Sequence, residues 1–154
     1  MICRRYVRYF TGQFAEAERL LRDPGAAGNA VAEFEGAIAA RCGRRHAIAV
    51  ASGRQGMEFL LTASGLRAGD EIIFPAYTLK DLVVLVRRLG LVPVTVDIEE
   101  ATYNLDPSKI ATAITPRTRA VVATHLFGSP CRVQEVVALA RRHRLLVFED
   151  CAHA

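Results

Sequence analysis

A run of small residues is the first part of this sequence whose composition could bind a ligand. Residues 52–56, Ser-Gly-Arg-Gln-Gly, separate the apolar run at 47–51 from a helix expected to begin near Arg54. Backbone N–H groups at the start of a helix attract anions because the helix dipole is positive there, and Arg54 could add a bidentate phosphate contact. The dinucleotide and P-loop glycine motifs are both missing, so a tight turn in which Ser52 caps the helix is an open alternative.

Carboxylate and imidazole groups follow the last apolar run of the chain. Residues 149–153, Glu-Asp-Cys-Ala-His, come directly after residues 145–148. A carboxylate at the end of a buried parallel strand is costly unless it is paired, so Asp150 either caps a helix or holds a cationic nitrogen of a ligand. Two further strand ends, at residues 75–79 and at His125, are explained as simply by a turn and by a structural histidine.

Together these strand ends suit one kind of ligand. A phosphate cradle after one strand and an acidic residue after another fit a molecule with a phosphate at one end and a protonated ring nitrogen at the other. Pyridoxal 5′-phosphate (PLP) is such a molecule. An aspartate beside its pyridine nitrogen keeps that nitrogen protonated, which makes the ring an electron sink.

Alternating apolar runs and helix patterns explain how these segments come to lie near one another. The alternation predicts βαβ units and a mostly parallel sheet, with ligands beyond the carboxyl ends of its strands. Pro93 favours an end or edge position for the third strand. Five strands are expected, at residues 47–51, 71–74, 92–96, 119–124 and 145–148. Helices are expected around residues 14–21, 29–42, 54–64, 82–89, 107–113 and 133–143.

The composition is that of an ordinary globular protein. Of 154 residues, 51% are hydrophobic and 23% are charged, with a net charge of +4, which excludes a disordered chain, a collagen and a disulfide-packed miniprotein. The small net charge and the lack of aromatic residues between the basic clusters argue against nucleic-acid binding. Lys80 and Lys109 are the only lysines among 20 basic residues, so chemistry that needs a lysine has two candidates.

No segment of the sequence predicts a membrane span, a secretory leader or a metal site. The apolar runs are shorter than the roughly 18 residues that cross a bilayer, and residues 1–10 lack the apolar core and cleavage site of a signal peptide. Cys3, Cys42, Cys131 and Cys151 form no CxxC pair, so neither a zinc site nor a redox motif is expected. Buried or incidental thiols in a reducing cytoplasm explain them.

Four stretches carry a resemblance to a known family. They are FEGAIAARCGRRHAIAVASGRQGMEFLL, GLRAGDEIIFPAYTLKD, GLVPVTVDIEEATYNLDPSKIATAITPRTRAVVATHLFGSP and HRLLVFEDCAHA. In order and spacing they resemble the N-terminal half of the DegT/DnrJ/EryC1/StrS family, PLP-dependent sugar aminotransferases of fold type I. The resemblance implies the N-terminal part of the fold type I large domain, a truncated, mostly parallel sheet with flanking helices. We divide the chain into an N-terminal helical arm at 1–28 and an incomplete cofactor-binding α/β domain at 29–154.

The resemblance implies cofactor-binding roles for the first two strand ends. Gly53, Arg54 and Gln55 fall on the family's phosphate loop, where backbone N–H groups and a hydroxyl usually bind the cofactor phosphate. Arg54 replaces the commoner threonine, so its contact would be a guanidinium. Leu79 falls where an aromatic ring usually stacks on the pyridine, and leucine gives up the ring–ring contribution of about 0.5–1.5 kcal/mol.

It also implies roles for the residues after the last strand. Asp150 falls on the aspartate that pairs with the pyridine nitrogen, and Ala152 on the small residue that packs against the other ring face. His153 falls on the residue, usually glutamine, that hydrogen-bonds the ring hydroxyl.

The family's catalytic lysine lies after the Glu-Asp motif, and this sequence ends at Ala154 before any such residue. Neither Lys80 nor Lys109 matches that position, so no catalytic residue is assigned. The resemblance implies that the parent enzyme is a homodimer. It is expected to transfer an amino group from glutamate to a nucleotide-linked keto-sugar.

Three interpretations follow. The first is the N-terminal portion of such an enzyme, inactive alone. The second is a non-catalytic half-subunit that pairs with a homologous or complementary chain. The third, outside the family, is a nucleotide-binding α/β module.

Overall fold

The computed structural model describes residues 11–153, with only the backbone of Ala26 and Ala27. Cys3 and Ala154 therefore lie outside the described residues. The chain separates into two compact units, the first ending at Ala49 and the second beginning at Val50. The division after residue 28 that the sequence suggested stays a prediction.

The first unit is helical. Helix α1 spans Gln13–Arg22, a 3₁₀ turn spans Pro24–Ala27 and helix α2 spans Ala30–Arg41. The Asp23 carboxylate accepts a hydrogen bond from the Gly25 N–H at 3.1 Å and so caps the start of the 3₁₀ turn. Pro24 directly after Asp23 disfavours continuation of α1. The two expected helices are confirmed. The apolar residues of α2, including Phe34, are largely exposed.

The second unit is built on four parallel strands. Strand β1 is Glu71–Pro75, β2 is Val92–Val96, β3 is Thr118–Thr124 and β4 is Leu146–Asp150. Their order is β2-β1-β3-β4, so Pro93 lies on an edge strand, where its missing N–H costs no ladder bond. Helices α3 to α6 are Gly53–Ala63, Lys80–Arg88, Pro107–Ala113 and Val133–His143. Four of the five expected strands are confirmed.

The expected strand at residues 47–51 is wrong. The segment forms no strand ladder, and Ile48 is 77% exposed. Two of its N–H groups donate to side chains instead, from Ala49 to Glu35 Oε1 at 2.7 Å and from Ala51 to Gln55 Oε1 at 3.0 Å. An apolar run becomes a strand only when a neighbouring strand accepts its hydrogen bonds, and within the described chain none pairs with this one.

Helices cover both faces of the sheet. Successive side chains of a strand point to opposite faces, and β1 divides its apolar residues accordingly. Ile72 and Phe74 pack with residues of α3 and α4, whereas Ile73 packs with residues of α5 and α6. All three are fully buried, and each contributes about 1.5–3 kcal/mol through burial. The fold is therefore the expected mostly parallel sheet with flanking helices, and its two cores hold the strand ends in place.

The amino ends of the strands carry a buried carboxylate. Glu71 accepts hydrogen bonds from the hydroxyls of Thr115 at 2.5 Å and Thr118 at 3.1 Å, and from Arg117 Nη2 at 2.8 Å. The Thr115 bond, with help from Arg117 and Thr118, lowers the pKa of Glu71 below its ordinary value, against the opposing effect of burial. This network fixes the sheet at the end opposite the expected site.

No helix in residues 11–153 is both long and apolar enough to cross a membrane.

Candidate functional site

Two adjoining clefts lie at the carboxyl ends of the strands, and Leu79, Asp150 and Ala152 line both of them. The first cleft has a volume of about 350 Å³. The second has a volume of about 470 Å³ and reaches the start of α3 at Gly53 and Arg54. The first is lined by Tyr77, Thr78, Leu79, Thr124, Leu126, Phe127, Asp150, Ala152 and His153. Six of the seven sequence-predicted cofactor residues therefore line this pair of clefts, and Gln55 does not.

The start of α3 is an N-cap that leaves N–H groups open. The Ser52 hydroxyl accepts a hydrogen bond from the Gln55 N–H at 3.2 Å, so the capping interpretation of Ser52 is confirmed. The Gln55 side chain is used to hold the Ala51 N–H. Helix geometry gives the N–H groups of Gly53 and Arg54 no intrahelical partner. A Cβ built on Gly53 would meet no described heavy atom within 4 Å, so a ligand has room to approach this backbone.

The Arg54 side chain is directed to α4. Its Nη1 lies 2.8 Å from Asp81 Oδ2, and both side chains are about half exposed. Such a surface ion pair contributes at most about 1 kcal/mol. Arg54 also lines a separate hollow with Gln55, formed by residues of α3 and α4. A phosphate contact through this guanidinium would therefore compete with a weak ion pair.

Asp150, the last residue of β4, is oriented by backbone groups. Its Oδ1 accepts a hydrogen bond from the Ala152 N–H at 3.1 Å, and its carbonyl oxygen accepts one from the His125 N–H at 3.0 Å. The first bond occupies one carboxylate oxygen. A carboxylate has about four acceptor positions, so Asp150 keeps the capacity to accept a hydrogen bond from a ligand.

His153 is held by Phe127. The Phe127 N–H donates to the Nδ1 atom of His153 at 3.4 Å, and the two rings are stacked with an angle of 11° between their planes. In a neutral imidazole one nitrogen accepts and the other carries the hydrogen. Because Nδ1 accepts, the hydrogen is assigned to Nε2, and His153 can donate a hydrogen bond from that atom.

Asn104 holds the loop that carries Phe127. Its Oδ1 accepts from the Leu126 N–H and its Nδ2 donates to the Ser129 carbonyl oxygen, both at 2.9 Å. Asn104 is almost fully buried, so these two bonds satisfy polar groups that water does not reach. Phe127 lies between them with a φ of +54°, a left-handed conformation that is unusual for a bulky residue. The clamp compensates for that strain.

Phe127 belongs to a cluster of three aromatic rings. The Tyr77 ring lies 5.8 Å from that of Tyr103 and 6.2 Å from that of Phe127. Tyr103 also has a positive φ, of +58°. These aromatic residues were not singled out in the sequence, because residue type does not reveal a left-handed backbone at tyrosine or phenylalanine.

Two buried hydroxyls at the first cleft have no hydrogen-bond partner among the described residues. They belong to Thr78 and Thr124. Buried polar groups are normally paired, so each needs an explanation. Thr124 was missed in the sequence because it ends an apolar run and was counted only as part of the strand.

His125 is structural, and its contacts argue against a metal site. It lies with Glu149 and Cys151 in a trio whose ligand atoms are within 4.8 Å of one another. Its Nδ1 accepts from the Cys131 N–H at 3.1 Å, and its Nε2 lies 3.4 Å from Glu149 Oε2. Nε2 therefore carries the ring hydrogen when the ring is neutral, and no lone pair is left for a metal ion.

The thiols are divided by burial. Cys42 and Cys151 are exposed, whereas Cys131 is buried. Desolvation raises the pKa of the Cys131 thiol above its ordinary value, so this thiol is an unreactive core group.

Comparison with known proteins agrees with the geometry. The family model of the DegT/DnrJ/EryC1/StrS aminotransferases matches residues 13–154. The chain is 42% identical over 127 residues to the GDP-perosamine synthase of Caulobacter vibrioides, covering 82% of this chain and 34% of that protein. It is 36% identical over 127 residues to the dTDP-3-amino-3,6-dideoxy-alpha-D-galactopyranose transaminase of Aneurinibacillus thermoaerophilus, covering 82% of this chain and 35% of that protein.

Solved structures share the fold. The aminotransferase from Psychrobacter cryohalolentis matches with a TM-score of 0.91 and 32% identity, over 97% of this chain and 39% of that one. NtdA from Bacillus subtilis, with bound cofactor PMP, matches with a TM-score of 0.81 and 33% identity, over 87% of this chain and 32% of that one. The chain thus spans about a third of the length of the curated relatives it matches. It belongs to the DegT/DnrJ/EryC1/StrS aminotransferase family.

Proposed function

We propose that this chain is the N-terminal portion of a PLP-dependent aminotransferase that acts on nucleotide-linked keto-sugars, with glutamate as the amino donor. The observation that carries the proposal is the convergence of Asp150, His153, Leu79 and the start of α3 on two adjoining clefts. Two relatives, the GDP-perosamine synthase and the dTDP-3-amino-3,6-dideoxy-alpha-D-galactopyranose transaminase, are named for nucleotide-linked amino sugars, which supports the substrate class. A homodimeric parent enzyme and a cytoplasmic location are part of the same proposal.

The chemistry of the donor set fits PLP. Asp150 has an acceptor for a ring N–H, His153 has a donor for the ring oxygen, and the open N–H groups of Gly53 and Arg54 suit a phosphate. Leu79 and Ala152 supply apolar cover. The unpaired hydroxyls of Thr78 and Thr124 add hydrogen-bonding groups that the described protein leaves unused.

In the proposed mechanism these residues bind and orient. PLP, when bound, supplies an electron sink for proton removal next to nitrogen. Asp150 would hold the proton on the pyridine nitrogen, and the Ala152 N–H orients the carboxylate for that task. His153 would donate from Nε2 to the ring oxygen, and Leu79 would exclude water from one ring face. Gln55 would act indirectly, because its side chain holds the loop before α3.

Neither lysine of the sequence is proposed to attach the cofactor. Lys109 donates to Asp97 Oδ2 at 2.8 Å, which raises the pKa of the lysine and keeps its amine protonated. Lys80 begins α4 and does not line either cleft. A protonated amine is a poor nucleophile, so this portion is proposed to bind the cofactor without transferring amino groups alone.

Ligand selectivity tests the proposal. The purified 154-residue chain is titrated separately with PLP, NAD and ATP, and the PLP sample is then treated with borohydride and mapped by mass spectrometry. We expect saturable, reversible PLP binding, no comparable binding of NAD or ATP, and no specific trapping at Lys80 or Lys109. Binding of NAD or ATP without PLP would favour the nucleotide-binding module, and amino transfer to a nucleotide-linked keto-sugar by this chain would contradict its inactivity.

A further inference from the structure

Thr124 has a buried hydroxyl that the described protein does not use. It is the last residue of β3, it is 7% exposed, and its Oγ1 has no hydrogen-bond partner among residues 11–153. The same residue lines the first cleft. A buried hydroxyl that lines an open cleft can form a hydrogen bond with a ligand. When no ligand is bound, the unpaired hydroxyl destabilises the protein.

Its position in the sheet brings Thr124 next to Asp150. The two residues are paired in the register of β3 and β4. Paired residues of neighbouring strands project to the same face of the sheet, and both line the first cleft. Thr124 therefore lies on the side of the site where the pyridine nitrogen is proposed to be held.

The other buried threonine of β3 shows the contrast. Thr118 begins the same strand and is 2% exposed, but its hydroxyl accepts from the Thr115 N–H at 2.9 Å and donates to Glu71 Oε2 at 3.1 Å. The hydroxyl of Thr118 is thus hydrogen-bonded within the protein, whereas that of Thr124, at the cleft, has no partner among the described residues. Valine has nearly the same shape as threonine and lacks only the hydroxyl, so it would satisfy the packing at either position.

We propose that Thr124 is a further cofactor-binding residue, whose hydroxyl forms a hydrogen bond with the bound cofactor beside Asp150. This inference rests on the proposed function and adds a residue to its site. It explains why a hydroxyl is kept at a buried strand end where an apolar side chain would otherwise be favoured.

The test uses the 154-residue chain and pyridoxamine 5′-phosphate as the probe, because this form of the cofactor does not condense with lysines. Wild type, Thr124→Val, Thr124→Ser and the matched control Thr118→Val are compared by calorimetric titration and by thermal unfolding without ligand. We expect Thr124→Val to weaken binding about fivefold, the loss of one hydrogen bond, without lowering the unfolding midpoint. Thr124→Ser keeps most of the affinity.

The control has the opposite signature. Thr118→Val should lower the unfolding midpoint, because it leaves Glu71 and the Thr115 N–H without one partner, and should leave the affinity of the folded protein unchanged. Equal affinity of Thr124→Val and wild type would overturn the inference, as would a midpoint of Thr124→Val lowered as far as that of Thr118→Val. Wild type that fails to bind the probe would overturn the proposed function and the inference with it, whereas a failure of the inference alone leaves wild-type binding intact.

Discussion

Phe127 holds His153 in two ways: its backbone N–H donates to the Nδ1 atom of His153 at 3.4 Å, and the two rings stack with centroids 5.8 Å apart. The hydrogen bond assigns the tautomer and the stacking fixes the ring plane. Asn104 in turn holds the loop that carries Phe127. His153, which is expected to contact the cofactor, is therefore positioned through Phe127 by the buried side-chain amide of Asn104.

Loss of the Phe127 ring should loosen His153. Phe127→Leu keeps the backbone donor and removes the stacking contribution of about 0.5–1.5 kcal/mol, so we expect affinity for pyridoxamine 5′-phosphate to fall about 2–10-fold. Nitrogen-15 shifts of His153 should show the Nε2–H form in wild type. In the variant the ring is no longer held in one plane, so its Nδ1 hydrogen bond to the residue 127 N–H should weaken and the shifts should move towards those of exchanging tautomers. Tyr103→Leu is the control, because the Tyr103 ring contacts Tyr77. Unchanged shifts in Phe127→Leu would contradict this relationship.

Removal of the Asn104 amide should destabilise the second unit. Asn104→Leu leaves the buried Leu126 N–H and the half-buried Ser129 carbonyl without their partner, and a buried group left unpaired costs about 1–3 kcal/mol. We expect the free energy of unfolding in urea to fall by about 2–4 kcal/mol. Asn29→Leu, at an exposed position before α2, should change it by less than about 0.5 kcal/mol. Equal effects of the two substitutions would refute the clamp.

Glu71 should make stability depend on acidity. Its folded-state pKa is lowered from an ordinary value of 4.5, so its ionised form favours the folded state above that pH. This stabilisation is lost as the pH falls below 4.5 towards the folded-state pKa. Unfolding free energies measured between pH 7 and pH 3 should decline less steeply for Glu71→Gln than for wild type. Parallel curves for the two proteins would show that the network does not hold the ionised carboxylate.

Ligand should protect one cysteine and not another. Cys151 lines the second cleft, whereas Cys42 is exposed in the first unit. Alkylation followed by mass spectrometry should modify both quickly in the free protein and leave the buried Cys131 largely unmodified. Pyridoxamine 5′-phosphate should slow the modification of Cys151 without slowing that of Cys42. If the ligand slows the modification of both cysteines, or of neither, binding of the ligand in the second cleft would be contradicted.

The sequence predicted the parts of the fold that depend on local pattern. Pro93 favoured an end or edge position because proline lacks a ladder donor, and β2 is an edge strand. Asp106-Pro107 indicated the start of α5, where the Asp106 carboxylate accepts from the Ser108 N–H. The prediction at residues 47–51 was wrong because a strand depends on a partner elsewhere in the chain. Apolar periodicity carries no information about that partner.

The site was predicted less completely than the fold. Asp150 was found because it comes at the end of a strand in a parallel sheet, where ligands bind, whereas the role of Leu79 was implied only by the family resemblance. The strand end at His125 was noted, but the role of Phe127 was not, since its left-handed backbone depends on the Asn104 side chain, which is 22 residues away from Leu126 in sequence. The open hydroxyl of Thr124 was not found either, since whether a threonine is paired is a property of the packed structure.

Asp150 allows the most direct test of the central claim, that the strand ends of this chain bind the cofactor through a carboxylate. Affinity for pyridoxamine 5′-phosphate is measured by titration of wild type, Asp150→Asn and Asp97→Asn. Asp97 is the control because it directly follows β2 and its exposed carboxylate pairs with Lys109. We expect Asp150→Asn to weaken binding about 10–100-fold, the loss of a charge-assisted hydrogen bond, and Asp97→Asn to bind like wild type. Equal affinities for all three proteins would contradict the claim.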